Sequence, residues 1–402
     1  MMAVMFVASA TAFAGDSDAL KALKKSMKAQ ESYSDAETLV KNSLDQLASD
    51  QEKAFAYNLL VDIAYKQFNK QDEIRLSNQV MQKNDPIDKE TMVKSAINAL
   101  DAALECDKYD NPQKPKFRKS NQERLQAARF CLLTQGFEYT EAQNNQAVFD
   151  CLNPYILTAS APLFKDTEAV LKDTNMGAAA FYCGRSALQL DNAVRAAELF
   201  KIGVQDTAKQ VHDLCFDMLI YTMGLNRKTA ADSTKYLNEL KDLYTQYPEN
   251  NQVYASLSDA MLATGSTEEV LSLANSHLAK YPDAIFPHVY KAFISQQAKK
   301  YDEAIAEWNL VPESAPNYVN YVYNRAVCKL FKANEFNDAN ADNMGRLSPD
   351  KEAKYKEMLN ESLVDFEKTK ELDPDQMTVK WGYLLKNVYS ATGQQEKADA
   401  IM

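Results

Sequence analysis

Glycine and proline are scarce in this chain, at 10 and 12 of 402 residues. Sheet-rich folds use both in tight turns, so the scarcity excludes a strand-dominated architecture and leaves helices joined by short connections. Histidine is scarcer still: His212, His277 and His288 are the only three. None stands at metal-ligand spacing from another, and no H-E-x-x-H occurs. There is no Gly-rich phosphate loop and no G-x-S-x-G nucleophile elbow. An excess of positive charge is missing too. With 45 Lys+Arg against 56 Asp+Glu the net charge is −11, which disfavours nucleic acid and anionic membrane surfaces as partners. No apolar run is long enough to span a bilayer. These absences lead us to expect no enzyme activity, no metal and no cofactor.

What is present is a chain that is 46% hydrophobic, enough for a sizeable core, with segments dominated by the helix formers Ala, Leu, Lys, Glu and Gln. The first fourteen residues, MMAVMFVASATAFA, carry no charge and end in Ala12-Phe13-Ala14 before Gly15 and Asp16. The run reads as the apolar core and A-x-A cleavage site of a secretory signal, with the mature chain starting near Gly15. Its basic leader is missing, which puts the true start upstream of Met1. The expected location is the periplasm or the exterior. No cysteine follows the cleavage point, so a lipid anchor there is not expected. The six cysteines, Cys106, Cys131, Cys151, Cys183, Cys215 and Cys328, all lie in helix-patterned segments. They read as small buried apolar side chains. The even count in an exported chain also permits a bridge, and Cys131 with Cys151 is the pair a hairpin turning near Asn144-Asn145 would bring together.

Prolines recur at 248, 282 and 316, 34 residues apart each time. A fixed period of twenty to fifty residues marks a solenoid. Residues 254–282 and 288–316 align on it, each giving an apolar helix, a polar break at Gly265 or at Lys299-Lys300, a second helix, then proline. Tyr254, Leu257, Ser258 and Met261 hold first-helix positions; Ala304 and Trp308 hold an A-x3-F spacing in a second helix. In this period and these residue types the chain resembles the tetratricopeptide repeat family, although no single repeat carries every signature residue and Val270 replaces a small one. The resemblance implies an all-α fold of antiparallel helix hairpins stacked into a right-handed superhelix. In it Ala304 lets two helices approach, Trp308 fills the space toward the next repeat, and Pro282 and Pro316 end second helices.

Flanking segments extend the pattern. Gly184, Ala196 and Phe200 hold it in 181–203, and Ser362, Phe366 and Pro374 hold it in 355–374, whose first helix is 319–336. Between the last two lies an insertion of roughly two dozen residues relative to a standard repeat. Its Asp338, Asn340 and Asp342 alternate like a calcium loop, but Asn343 and Pro349 stand where Gly and Glu are needed. Upstream, helical patterns cover 16–30, 34–48, 52–68, 71–82, 88–106, 119–140 and 145–158. The Pro- and Lys/Arg-rich stretch 105–122 reads as a long loop and hinge whose Lys114, Lys116, Arg118 and Lys119 are either solvated, the favoured reading, or a dock for an acidic partner. The expected organisation is a signal at 1–14, irregular helical repeats at 15–110, divergent ones at 111–176, regular repeats at 177–318, a repeat with insertion at 319–376 and a cap at 377–402.

The resemblance also directs attention to the groove formed by first helices. Chaperone adaptors of the family clamp a carboxylate there with Lys, Asn and Arg; the matching positions here are Ala255, Asp259, Val289 and Phe293, so that clamp is absent. Instead Phe286, Val289, Phe293, Tyr323, Val327 and Phe331 form an apolar, aromatic stripe at helical spacing. It reads either as inter-repeat core or as a groove for an extended or helical peptide. We expect a protein-binding scaffold with a protein or peptide partner. The alternative is a glycan-binding protein of the starch-utilisation type, for which Trp308 and Trp381 are the only tryptophans available to stack on sugars. A catalytic domain in the N-terminal part is the remaining rival, and it lacks nucleophile, base and metal signatures.

Overall fold

The computed structural model describes residues 16–401; the expected signal segment lies outside them. Every regular element among the described residues is helical, and the chain divides into two compact units, residues 1–228 and 229–402. The division falls inside the stretch read as regular repeats, at the polar connection Asn226-Arg227-Lys228.

The first unit opens with α1 (Asp18–Met27), α2 (Tyr33–Ser43), α3 (Asp50–Met81) and α4 (Lys89–Tyr109). Ser17 caps α1, its Oγ accepting from the Leu20 N–H at 3.1 Å, and its own N–H and Oγ both donate to Glu52 at 2.7 Å. One serine thus ends a helix and ties it to α3. Two helices were expected over 52–68 and 71–82. They are one helix of 32 residues, because nothing between 68 and 71 interrupts backbone hydrogen bonding. Ala54 and Ala64 on α3 and Ala96, Ala99 and Ala103 on α4 are fully buried; small side chains let this hairpin pack closely.

The basic stretch after α4 is shorter and more ordered than its composition implies. Helix continues to Tyr109, and the Asp110 carboxylate gathers the loop by accepting from the N–H groups of Lys116, Phe117 and Arg118 at 2.9, 2.8 and 3.3 Å. Arg118 then forks onto Asp107 at 2.7 and 2.8 Å, and the Lys116 ammonium lies over the rings of Phe55 and Phe117. Two members of the expected solvated cluster are therefore structural. Next come α5 (Arg118–Arg124), α6 (Gln126–Glu141), α7 (Asn145–Ser160), α8 (Glu168–Leu171), α9 (Met176–Gln189), α10 (Ala193–Gly203) and α11 (Lys209–Leu225). The helix expected over 119–140 is broken at Leu125. At the crossing of α9 and α10 a Cβ on Gly184 would meet the Phe200 ring at 2.7 Å, so glycine is required where the A-x3-F aromatic inserts.

The second unit comprises α12 (Ala230–Gln246), α13 (Asn251–Ala263), α14 (Thr267–Leu278), α15 (Ile285–Gln297), α16 (Tyr301–Trp308), α17 (Tyr318–Asn340), α18 (Pro349–Leu372), α19 (Gly382–Ala391) and α20 (Gln395–Asp399). Pro248, Pro282 and Pro374 each follow a second helix closely, as expected. Pro316 does not end α16, which stops at Trp308. Pro312 is the reason: it offers no N–H and holds Val311 away from helical angles. The insertion before α18 is also reassigned. About half of it lengthens α17 and α18, leaving 341–348 as a loop, and Pro349 starts the new helix where its missing N–H costs nothing. Past α18 the Asp373 carboxylate accepts from the N–H groups of Met377, Thr378 and Val379 at 2.9 Å each, while the Trp381 indole donates to the Asp373 carbonyl at 2.7 Å. These backbone donors hold the Asp373 carboxyl below its ordinary range. The turn after α18 is thus built like the one after α4, around a single buried aspartate.

Two apolar clusters fill the C-terminal half of this unit. Ala292, Ala304, Trp308, Val311, Ala315 and Cys328 form one; Val327, Leu330, Leu363, Phe366, Trp381 and Leu385 belong to the other. The Trp308 and Tyr321 rings stack at 5.7 Å.

Candidate functional site

The predicted stripe divides. Phe293 on α15 and Phe331 on α17 are exposed, at 42% and 40%, and Phe286 is half-buried. Val289 packs against the cluster that contains Ala304 and Trp308, Val327 is a member of the neighbouring cluster, and Tyr323 packs there too, its ring 6.1 Å from Phe366. Val327 is therefore core, while Val289 and Tyr323 are partly buried, each packed against a core cluster. The reason is angular. Residues four apart on a helix differ by about 40°, so 289 and 327 fall inside the buried arc while 293 and 331 fall just outside it. The Tyr301 ring lies 5.9 Å from Phe331. Of the positions matching the absent clamp, Asp259 and the Ala255 carbonyl both accept from Tyr290 Oη, at 2.7 and 2.9 Å.

A second feature was not read from the sequence. In the first unit a cleft of 540 Å³ lies between α4 and α7 and is lined by Val93, Ile97, Phe149 and Pro154 with Glu90, Tyr139, Asn144, Asp150 and Asn153. A polar trough of 610 Å³ lies on the α2 and α3 side of α4, with Lys70, Glu37, Tyr33, Gln67, Thr91 and Asp101 in its wall. Lys94 and Asn98 line both, so the two hollows share one wall. Burial together with the charges of Glu105 and Glu37 raises the Asp101 carboxyl above its ordinary value. The feature is assembled from α2, α3, α4, α6 and α7, none of which carries the predicted stripe.

Reactive groups are occupied or inert. All six cysteines are buried free thiols, including Cys131 and Cys151, and burial pushes five of them up to about 12 and Cys328 up to about 11. His288 Nδ1 lies 2.7 Å from Glu307, which also pairs with Lys291 at 2.5 Å. Asp342 in the loop once compared with a calcium site accepts from the N–H groups of Met344 and Arg346 at 2.8 and 2.9 Å. No group of three or more His, Cys, Asp and Glu side chains among the described residues is placed to hold a metal. No helix there is long and apolar enough to cross a membrane.

His277 has a structural place. It is buried on α14, its Nδ1 lies 2.8 Å from Tyr244 Oη on α12, and the rings of Tyr254 and Tyr281 are each 4.8 Å away. Burial, with a smaller contribution from Lys280, lowers its pKa. The neutral ring is the form that fits. The unfolded chain takes up a proton near the ordinary value of about 6.5, whereas the folded site resists it. Stability from this group is therefore whole above that pH and falls as acid is added through it. Urea midpoints read between pH 7.5 and 5 should decline, and His277→Gln should flatten that decline.

No protein-family model matches the chain, and no curated protein matches it. Among solved structures it is similar to an IFIT1 monomeric mutant with Gppp-AAAA, at 14% identity and a TM-score of 0.38 over 94% of this chain and 77% of that one. It is also similar to the TPR domain of P58(IPK), at 13% identity and a TM-score of 0.28 over 94% of this chain and 97% of that one. At these values neither likeness carries an argument about function.

Proposed function

We propose that this chain is a non-enzymatic scaffold that binds a partner protein through the first-helix face of its second unit, and that it works outside the cytoplasm after export. The observation that carries the reading is the pair Phe293 and Phe331. Both are large aromatics left exposed, one on α15 and one on α17, and aromatic anchors are the groups that dominate protein interfaces. Phe286, seven residues before Phe293 on α15, is half-buried. Export rests on the uncharged run 1–14 and its A-x-A ending.

The glycan reading loses its support. Trp308 and Trp381 are both 3% exposed, so neither presents a ring face to a sugar. Any partner would meet phenylalanine here, a surface suited to apolar side chains.

The test pairs stability with capture. Phe293→Ser and Phe331→Ser should each leave the melting temperature within about 2 °C, as expected of surface substitutions, while reducing recovery of the partner that co-purifies with the unmodified chain from envelope extract. A large fall in melting temperature would make the aromatics core residues. Unchanged melting and unchanged recovery would remove this face from the binding surface.

A further inference from the structure

Pro154 lies in the interior of α7. It has no N–H to give, so the carbonyl of Asp150, one turn earlier, loses its helical donor. Asp150 and Pro154 both line the cleft between α4 and α7, which puts this vacated acceptor on the helix face bordering it. On the facing wall, no hydrogen bond among the described residues uses the Asn98 side-chain amide, and no carboxylate lies within ion-pair reach of Lys70 or Lys94. Such unspent backbone and side-chain polar groups are what an extended chain can satisfy. Between them Val93 and Ile97 face Phe149 and Pro154, all partly exposed, and offer room for one bulky apolar side chain.

The trough beyond has a polarity. Lys70 and Lys94 line it along with Glu37 and Asp101. Seven residues of α4 separate Lys94 from Asp101, about 10 Å at 1.5 Å per residue. Acid is favoured between Lys70 and Lys94, and repelled by Glu37 and Asp101 at the other end of the trough and by Glu90 and Asp150 in the apolar cleft. We infer that this cleft docks an extended segment of a partner polypeptide bearing a bulky apolar residue and, within three positions or about 10 Å of strand, an acidic one. The apolar residue sits between Val93, Ile97, Phe149 and Pro154. The acid meets Lys70 and Lys94, and backbone amides meet the Asp150 carbonyl and Asn98. This surface is on a different unit from the phenylalanines of the scaffold reading, so each can fail without the other.

The probe is the fluorescein-labelled peptide Gly-Ser-Phe-Ser-Gly-Asp-Ser-Gly, titrated with the full chain by fluorescence anisotropy. Counterparts carry Lys in place of Asp, or Gly in place of Phe. The Asp peptide should bind about tenfold more tightly than either counterpart, and Lys70→Glu with Lys94→Glu should reverse the preference between Asp and Lys. Pro154→Ala restores the helical donor to Asp150. It should leave the melting temperature unchanged or higher while weakening the peptide by about tenfold, the worth of one good hydrogen bond. Loss of binding without loss of stability cannot come from unfolding. Phe293→Ser should not change the titration. Absence of saturable binding, equal or tighter binding of the Lys peptide, or indifference to the lysine and proline substitutions would each overturn the assignment. So would loss of binding on Phe293→Ser, which would place the peptide on the other unit.

Discussion

Replacing Asp365 with Ala should destabilise the second unit by about 3–5 kcal/mol. Asp365 is buried on α18, and it accepts both arms of the Arg325 guanidinium from α17 at 2.9 and 2.7 Å and the Lys329 ammonium at 2.7 Å. Its hydrogen bonds raise the Arg325 pKa further. Removing the carboxylate leaves two cations beside each other in a partly buried seam, and that uncompensated charge, more than the lost attraction, sets the size of the effect. Both tryptophans of the chain lie in this unit, so urea unfolding followed by their fluorescence reports it selectively. Replacing all three residues together, with Asp365→Leu, Arg325→Met and Lys329→Met, should cost much less, because no charge is then left unpaired. Equal losses in the single and triple variants would mean that packing, not charge, holds α17 to α18.

Trp308→Ala should cost about 3–5 kcal/mol, the usual range for emptying a buried aromatic site. Trp308 closes α16 and is surrounded by Ala292, Ala304, Val311, Ala315 and Cys328, with Tyr321 stacked on it. Small neighbours cannot move in to fill the space it vacates. Trp308→Phe should cost less, since most of the ring volume stays. Unfolding of the alanine variant is readable from the remaining Trp381. A loss under about 1 kcal/mol, the level of a surface change, would show that the residue does not join one hairpin to the next.

The reason Trp308 carries so much was visible in the sequence. A proline period of 34 residues, with a small residue and an aromatic four apart at Ala304 and Trp308, implies hairpins whose exposed faces are covered by neighbours, and Gly184 with Phe200 makes a like crossing in the first unit. Helix ends were legible only where their chemistry was local. Pro312 escaped notice because the periodic Pro316 drew attention away from it. The break at Leu125 has no Gly or Pro to announce it, and the 32-residue α3 was divided because a polar stretch near 70 resembles a connection. The insertion gives no helical signal because Asn and Asp dominate its first half, yet about half of it is helix.

The site was less legible than the fold. Helical spacing alone put Val289 and Phe293 on one stripe, and it cannot say where along that stripe burial ends. That boundary depends on α16 and α18, whose packing angles are not local properties of α15 or α17. The cleft beside α4 was missed altogether, since its walls come from residues between 32 and 154 on five helices. One signal did exist: Pro154 inside an otherwise continuous helical pattern. An interior proline costs a helix about 3 kcal/mol, and its presence pointed to a backbone acceptor left open on that face.

The central claim is that the first-helix face of the second unit meets a partner protein. Photocrosslinking from a benzophenone side chain placed at Phe293 tests it most directly, with the same group at Lys241, exposed on α12, as the surface control. Illumination in native envelope extract should join position 293 to one discrete partner polypeptide and position 241 to little or nothing. No adduct at 293, or the same adducts at both positions, would contradict the account.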